Sequence, residues 1–485
     1  MAYCGYITRL KNVRKHSNAD RLLLADCFGN TVIVGLEYHE GQLGVYFPVD
    51  GQLSEEFCAA NDLVRRKDEN GNPAGGYLDP EKRNIKAMKL RGEKSDGLFL
   101  PLTSLANFTT ISDLKEGDTI TVLNGVEICK KYIPKSRRGE NWHNGKRAHK
   151  PRQNFAPTFY EHVDTEQLAY HLDDFHAGDV VELSLKLHGT SGRTGYLPLI
   201  RQKKQTLWQK IMRKPAHTYV EYDYVTGTRR VVLDDKHDGG FYTDNQFRLE
   251  MAKKFEGKLR KGETVYYEIV GFVNENTPIM ASVKNSKIKD KEFTKQYGEE
   301  TVFSYGCDPN GGWETCSYDD PDNPEIGIAM SAEEAFAYGV LQAPRCEVYV
   351  YRMTMSNDDG DVVEMSPEQM RLRCDQMGVK YVPVFEKFII PDMGVDVDND
   401  GTADAHVMTP GEYVLRKVEQ YFDGPDPIGK THIREGVVAR IVNRPTICLY
   451  KHKNHTFKML SGIAIEQAEE SGALDKISSD ILEEL

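Results

Sequence analysis

No apolar run in this 485-residue chain approaches the ~20 residues that cross a bilayer as a helix, and the opening Met-Ala-Tyr-Cys-Gly-Tyr has no leader pattern. A soluble, cytoplasmic protein that engages no membrane is expected. The nine cysteines include no Cys-x-x-Cys and no Cys/His cluster, which excludes the usual zinc spacings and a disulfide framework. Reduced thiols are expected. No internal repeat or low-complexity tract stands out, which leaves ordinary globular domains. An excess of positive charge is missing too: 62 Lys and Arg face 74 Asp and Glu, a net charge of −12. Phosphate contacts come from Lys and Arg, so the average argues against a nucleic-acid binder.

The average hides a local concentration. Lys130, Lys131, Lys135, Arg137, Arg138, Lys146, Arg147, Lys150 and Arg152 stand against Glu140 alone, with Tyr132 and Trp142 interleaved. Basic charge gathered around aromatics suits a polyanion, and Arg137, Arg138, Lys146 and Arg147 are the candidates for contacting it. A charged, apolar-poor stretch cannot bury enough surface to order itself, so 126–159 reads as a basic linker. Arg201 to Lys214 is basic again and contains Trp208.

The length allows about two to four domains. Residues 1–125 read as a small β-rich unit: apolar runs at 22–28 and 31–36 are split by Gly29-Asn30, a two-residue hairpin signal. Short runs at 45–47, 85–90, 98–100 and 119–123 follow, between Gly, Pro and Asp turns, and favour a barrel or sandwich. His16-Ser-Asn18-Ala-Asp20 resembles the opening of OB-fold tRNA-binding modules. The unit as a whole, with Leu90-Arg91-Gly-Glu-Lys-Ser95, is similar to the N-terminal domain of one subgroup of RNA ligases. From Asp164 the pattern becomes mixed. Asp164 predicts the N-cap of a helix, Phe247, Met251 and Phe255 recur at helical spacing, and Ser331-Ala-Glu-Glu334 is a capping box. Ser366-Pro367 and Thr409-Pro410 start helices that end near Gly378 and at Gly424. An α+β domain over 160–460 and an acidic tail over 461–485 are expected.

The chemistry is expected on Val181-Glu-Leu-Ser-Leu-Lys186-Leu-His188-Gly189-Thr-Ser, an alternating strand that ends in a small polar turn. It sets Lys186 at the strand's mouth, beside backbone N–H groups that Gly189 leaves open to a phosphate. An amine attacks phosphorus only after losing its proton, so cations or desolvation must act on Lys186. Lys-Leu-His-Gly-Thr-Ser resembles motif I of the nucleotidyltransferases that form a covalent lysyl-nucleotide, specifically their RNA ligase branch.

Further segments follow in that family's order. Thr226-Gly-Thr-Arg229 is similar to motif Ia, where Arg229 can fork onto phosphate or ribose oxygens. Val265-Tyr-Tyr-Glu268 places one acid in an apolar strand, as motif III does for a ribose hydroxyl. Glu347-Val-Tyr349-Val-Tyr351 occupies the place of motif IIIa, whose aromatic stacks on the nucleobase; Tyr351 is preferred over Tyr349. Glu435-Gly-Val-Val matches motif IV, whose carboxylate can hold a divalent cation. Lys451 and Lys453 project from one face of a strand and would flank a triphosphate. His188 and Gly189 complete the nucleotide-binding set.

The resemblance implies an N-terminal OB-like β-barrel plus an α+β nucleotidyltransferase domain of antiparallel sheets with an ATP-grasp-like ligase core. It implies an ATP-dependent RNA ligase, a monomer that uses ATP and Mg2+ or Mn2+ to join RNA 3′-hydroxyl and 5′-phosphate ends through lysyl-AMP, in the repair of nicked or broken RNA. Leu185 stands where such ligases often carry Glu, which leaves ATP against GTP open. A capping guanylyltransferase or DNA ligase shares the lysyl chemistry but normally has an OB domain after motif V. A non-catalytic RNA-binding protein is the remaining alternative. Asp396-Val-Asp398-Asn-Asp400-Gly401 begins like a calcium loop but has Val407 at the twelfth position, so a solvated loop is expected.

Overall fold

A computed structural model of the chain describes residues 3–134, 155–203, 205, 208, 211–212, 216–230, 232–233, 246–311, 343–392 and 408–471. Arg137, Arg138, Lys146 and Arg147, the Ser331 capping box and the calcium-like loop lie outside the described residues.

Two sheets carry the larger part. The first runs in the order Glu166–Gln167, Cys448–Lys453, Gly436–Ile441, Val180–Lys186, Val384–Ile389, antiparallel except at its first pair. The second centres on Thr218–Gly227, Thr190–Gln202, Glu263–Asn274 and Cys346–Ser356, all antiparallel. The turn after Lys186 carries the chain from one sheet to the other. Val181, Leu183, Val437 and Ala439 bury one face of the first sheet with Val414 and Val418 of helix Pro410–Glu419. Val265, Ile269, Val348 and Val350 share the larger core with helices Gln246–Lys253 and Pro367–Met377.

The local signals that hold are stereochemical. Ser366 and Thr409 each close a full capping box with Pro in the first turn, and Gly378 ends its helix in the left-handed region. Three expectations change. The hairpin between Leu22–Cys27 and Asn30–Gly35 turns on Phe28 (φ 51°) and Gly29 (φ 72°), one residue earlier than Gly29-Asn30. Two positive φ values give the primed turn that suits strand twist, and Asn30 already pairs with Cys27. The helix anticipated from Asp164 is absent: Glu166–Gln167 pairs in parallel with Tyr450 and Lys451, and only short 3-10 turns follow. A backbone committed to that ladder cannot also close helical bonds. Helix Pro410–Glu419 stops at Gln420, before Gly424, where the chain turns to bring Arg434 N–H onto Gly424 O.

The front unit comprises a four-stranded sheet (Gly97–Pro101, Leu43–Pro48, Gly5–Arg9, Thr119–Ile120), a three-stranded sheet (Lys11–Lys15, Leu22–Cys27, Asn30–Gly35) and small hairpins. Among the described residues no pairing closes these strands into a barrel. A single helix, His455–Ser471, crosses the boundary drawn at 460, because its acids are spaced to meet cations elsewhere in the fold. Glu466 pairs with Lys86, Glu469 with Lys82 and with the Tyr132 hydroxyl (2.7 Å), and Glu470 with Lys287 (3.4 Å). At the helix start, His455 Nδ1 lies 2.7 Å and Lys458 Nζ 3.3 Å from the buried carboxylate of Asp96. Burial acts to raise the Asp96 pKa, but Lys458 and His455 together hold it well below the usual carboxylate range. No helix among the described residues is long and apolar enough to cross a membrane.

Removing one partner from a buried charge cluster costs about 3–5 kcal/mol. Asp96→Ala is expected to lower the urea-unfolding free energy at pH 7 by about that much, and a loss under about 1 kcal/mol would show that the cluster contributes little. Because the folded carboxyl is the stronger acid, its contribution is present above the carboxylate range and is lost as the pH falls through and below it.

Candidate active site

The strand register assembles the charged groups. Lys186 pairs with Gly436 and Gly436 with Lys453; one rung down, Ser184 pairs with Val438 and Val438 with Lys451; next come Glu182, Arg440 and Leu449. Alternate residues share a face, so Lys186, Lys451 and Lys453 emerge on the side opposite the apolar core of Leu183, Val437 and Ala439. Glu435, just before Gly436, is fully buried between them. Its Oε1 lies 2.9 Å from Lys186 Nζ and 3.1 Å from Lys453 Nζ, and its Oε2 3.6 Å from His188 Nδ1. The Glu435 backbone carbonyl accepts the Asn454 N–H at 2.8 Å.

Two glycines permit this approach. A Cβ on Gly436 would come within 2.1 Å of the His452 carbonyl oxygen, so no larger residue fits between these strands unshifted. A Cβ on Gly189 would meet Ile269 O at 2.4 Å and Glu268 Cγ at 2.9 Å. The use of Gly189 that the geometry shows is thus to let the turn lie against the Glu268 strand.

A cleft opens between the sheets. Lys186, Arg229, Glu268 and Tyr351 all line it. Glu268 pairs with Ser191 on one side and Tyr349 on the other. Tyr349 is buried in the core, whereas Tyr351 is half-buried and opens onto the cleft. Lys451 and Lys453 line a neighbouring polar cleft with Lys131, Lys458, Asp50 and Asp96, and Thr165 borders both spaces. His188 lies behind Glu435. Its backbone N–H donates to the Tyr305 hydroxyl at 2.7 Å, and its ring meets Phe303 and Phe457 edge-on, each at 4.7 Å.

Sequence reasoning passed over several groups in the large cleft. Arg371 donates both terminal nitrogens to Glu182 at 3.0 Å, Arg352 forks onto Glu364, and Arg440 reaches Met365 O at 3.1 Å. Glu182 carried the same signal as Glu268, an acid inside an alternating apolar strand. His162 carried none, since it stands in an irregular segment.

Burial pushes the His162 imidazole down to about 4, and that of His452 likewise to about 4. Both are neutral when folded, whereas an unfolded His titrates near 6.5. The unfolded chain therefore binds more protons, and stability rises with pH across that interval. The melting temperature is expected to hold above about pH 6.5 and to fall as the pH drops towards 4, with His162→Gln flattening the trend. A melting temperature independent of pH over that interval would contradict the burial of these rings.

No protein-family model matches the sequence, and no curated protein does. Among solved structures the chain is similar to RNA ligases. Variants of Naegleria gruberi RNA ligase solved with ATP and Mn (15% identity, TM-score 0.48) and with AMP and Mn (14%, 0.49) each match over 94% of this chain and 97% of their own. The same ligase with pyrophosphate matches at 14% identity and TM-score 0.49 over 93% and 97%. At that level of likeness the functional reading has to come from the site itself.

Proposed function

We propose that the protein is an ATP-dependent RNA ligase working through a covalent lysyl-AMP. The observation that supports this best is the Lys186 amine and the Lys453 amine on one buried carboxylate, Glu435, at the edge of a cleft that also holds Arg229, Glu268 and Tyr351. A metabolic enzyme can hold a lone lysine in a cleft. Two amines, a carboxylate, an arginine fork and an aromatic suit an anionic ligand with a flat base.

In this reading the Lys186 amine attacks the α-phosphorus of ATP, the P–N bond forms as the amine's proton is released to solvent, and the bond to pyrophosphate breaks, with Lys451 and Lys453 taking up the charge of the triphosphate. The RNA 5′-phosphate then displaces Lys186 and takes the AMP. The RNA 3′-hydroxyl attacks that phosphate, the phosphodiester forms and AMP departs. Tyr351 stacks on the base, Glu268 accepts from a ribose hydroxyl, and Arg229 binds phosphate or ribose. His188 and Gly189 shape the turn beneath the nucleotide. Glu435, a hard oxygen donor, fits Mg2+ or Mn2+, which when bound neutralises charge on the transferring phosphate.

Residues 1–125 are read as the OB-like RNA-binding module, 126–159 as a basic linker contacting RNA through Arg137, Arg138, Lys146 and Arg147, and 160–460 with the following helix as the adenylation domain. Repair of nicked or broken RNA by a cytoplasmic monomer is the setting proposed. With radiolabelled ATP and magnesium the protein is expected to become covalently labelled and to seal a nicked RNA duplex, whereas Lys186→Ala does neither. Labelling by GTP alone would transfer the reading to capping, and labelled Lys186→Ala would end it.

A further inference from the structure

The segment over 155–165 crosses the second sheet as an irregular strap and is anchored at several points. Arg193, 1% exposed, donates to Thr228 O (3.0 Å) and Phe159 O (3.2 Å), with its guanidinium 4.3 Å over the Phe159 ring. The Tyr266 hydroxyl donates to Tyr160 O at 3.1 Å, and the Tyr160 hydroxyl to Gly360 O at 2.7 Å. So tethered, the strap places two side chains, two residues apart, on two groups of the cleft: Asp164 pairs with Arg229, and His162 bonds to the Tyr351 hydroxyl.

The protonation of His162 follows from its partners. Its Nδ1 lies 3.3 Å from Val163 O, and a carbonyl can only accept, so Nδ1 carries the proton. Nε2 is then the acceptor and Tyr351 donates to it. Burial, reinforced by Arg229, Arg352 and Arg193, pushes His162 down to about 4, so that lone pair persists at neutral pH. The imidazole lies 5.2 Å from the Tyr351 ring centre, and its far side is closed by Tyr266, edge-on at 5.6 Å. Tyr351 is therefore held at its far end and cannot swing without breaking this bond.

We propose that His162 is a positioning residue that presets Tyr351 for stacking against the nucleobase. The inference rests on the nucleotidyl-transfer reading above and deepens it. A ring fixed before the ligand arrives spares the cost of ordering that side chain on binding, an effect of about three- to tenfold in affinity.

The test is a double-mutant cycle on the full chain. ATP affinity is measured in a Lys186→Ala background that cannot turn over, and self-labelling kinetics otherwise. His162→Ala and Tyr351→Phe are each expected to raise KM and Kd for ATP about three- to tenfold, and in His162→Ala the labelling rate at saturating ATP stays within about twofold. The double variant is expected to be no worse than either single one. His162→Gln, whose amide oxygen can still accept, is expected to recover most of the affinity and serves if the alanine variant folds poorly. Additive effects, an unchanged KM, or a loss confined to the saturated rate would overturn the role of His162. Coupled ATP binding without any self-labelling of the wild type would overturn the ligase reading alone, and absence of ATP binding would overturn both.

Discussion

The carboxylate of Glu435 is fully buried with two amines against it, and much of the site is arranged to make that possible. Burying a carboxylate costs several kcal/mol unless counter-charges meet it at close range. Lys186 and Lys453 do so at 2.9 and 3.1 Å because they sit on strands that both pair with the strand beginning at Gly436. A one-residue slip of either ladder would turn its lysine into the apolar core. The register of three strands is therefore an electrostatic requirement as much as a packing one.

The same arrangement ties the front unit to the site. The strand bearing Lys451 and Lys453 passes through Asn454 directly into helix His455–Ser471, and Asn454 bonds back to the Glu435 carbonyl. That helix is held from the other side by Asp96, Lys82 and Lys86 of the front unit. Displacement of the front unit would thus act on the two lysines through one rigid element. The polar cleft between them is bordered by Lys131, Lys451, Lys453 and Lys458 and by Asp50, Asp96 and Glu166.

What could be read in the sequence was whatever chain neighbours determine. The Lys186 strand with its glycine turn, the Glu435-Gly436 step and the capping boxes of Ser366 and Thr409 are local patterns with local causes. What could not be read depends on distant partners. Asp164 looks like an N-cap until Arg229 takes its carboxylate and the Cys448–Lys453 edge takes the backbone beyond it. Glu466, Glu469 and Glu470 look like a solvated tail until Lys86, Lys82 and Lys287 stand opposite them. His162 gives no sequence signal at all, since its place beside Tyr351 is fixed by anchors on Arg193 and Tyr266. The resemblance to lysyl-nucleotide ligases named the charged set but not its spacing, in which the Lys186 amine faces the Glu435 carboxylate at 2.9 Å.

The central claim is that the amine at position 186 is the group that takes the nucleotide. Protein incubated with ATP and magnesium, digested under conditions that keep P–N bonds and mapped by mass spectrometry, tests it most directly. The account predicts a single adenylyl adduct on the peptide that spans Lys186, removed when pyrophosphate is added. An adduct on Lys451, Lys453 or any other side chain, or none on any peptide, would contradict it.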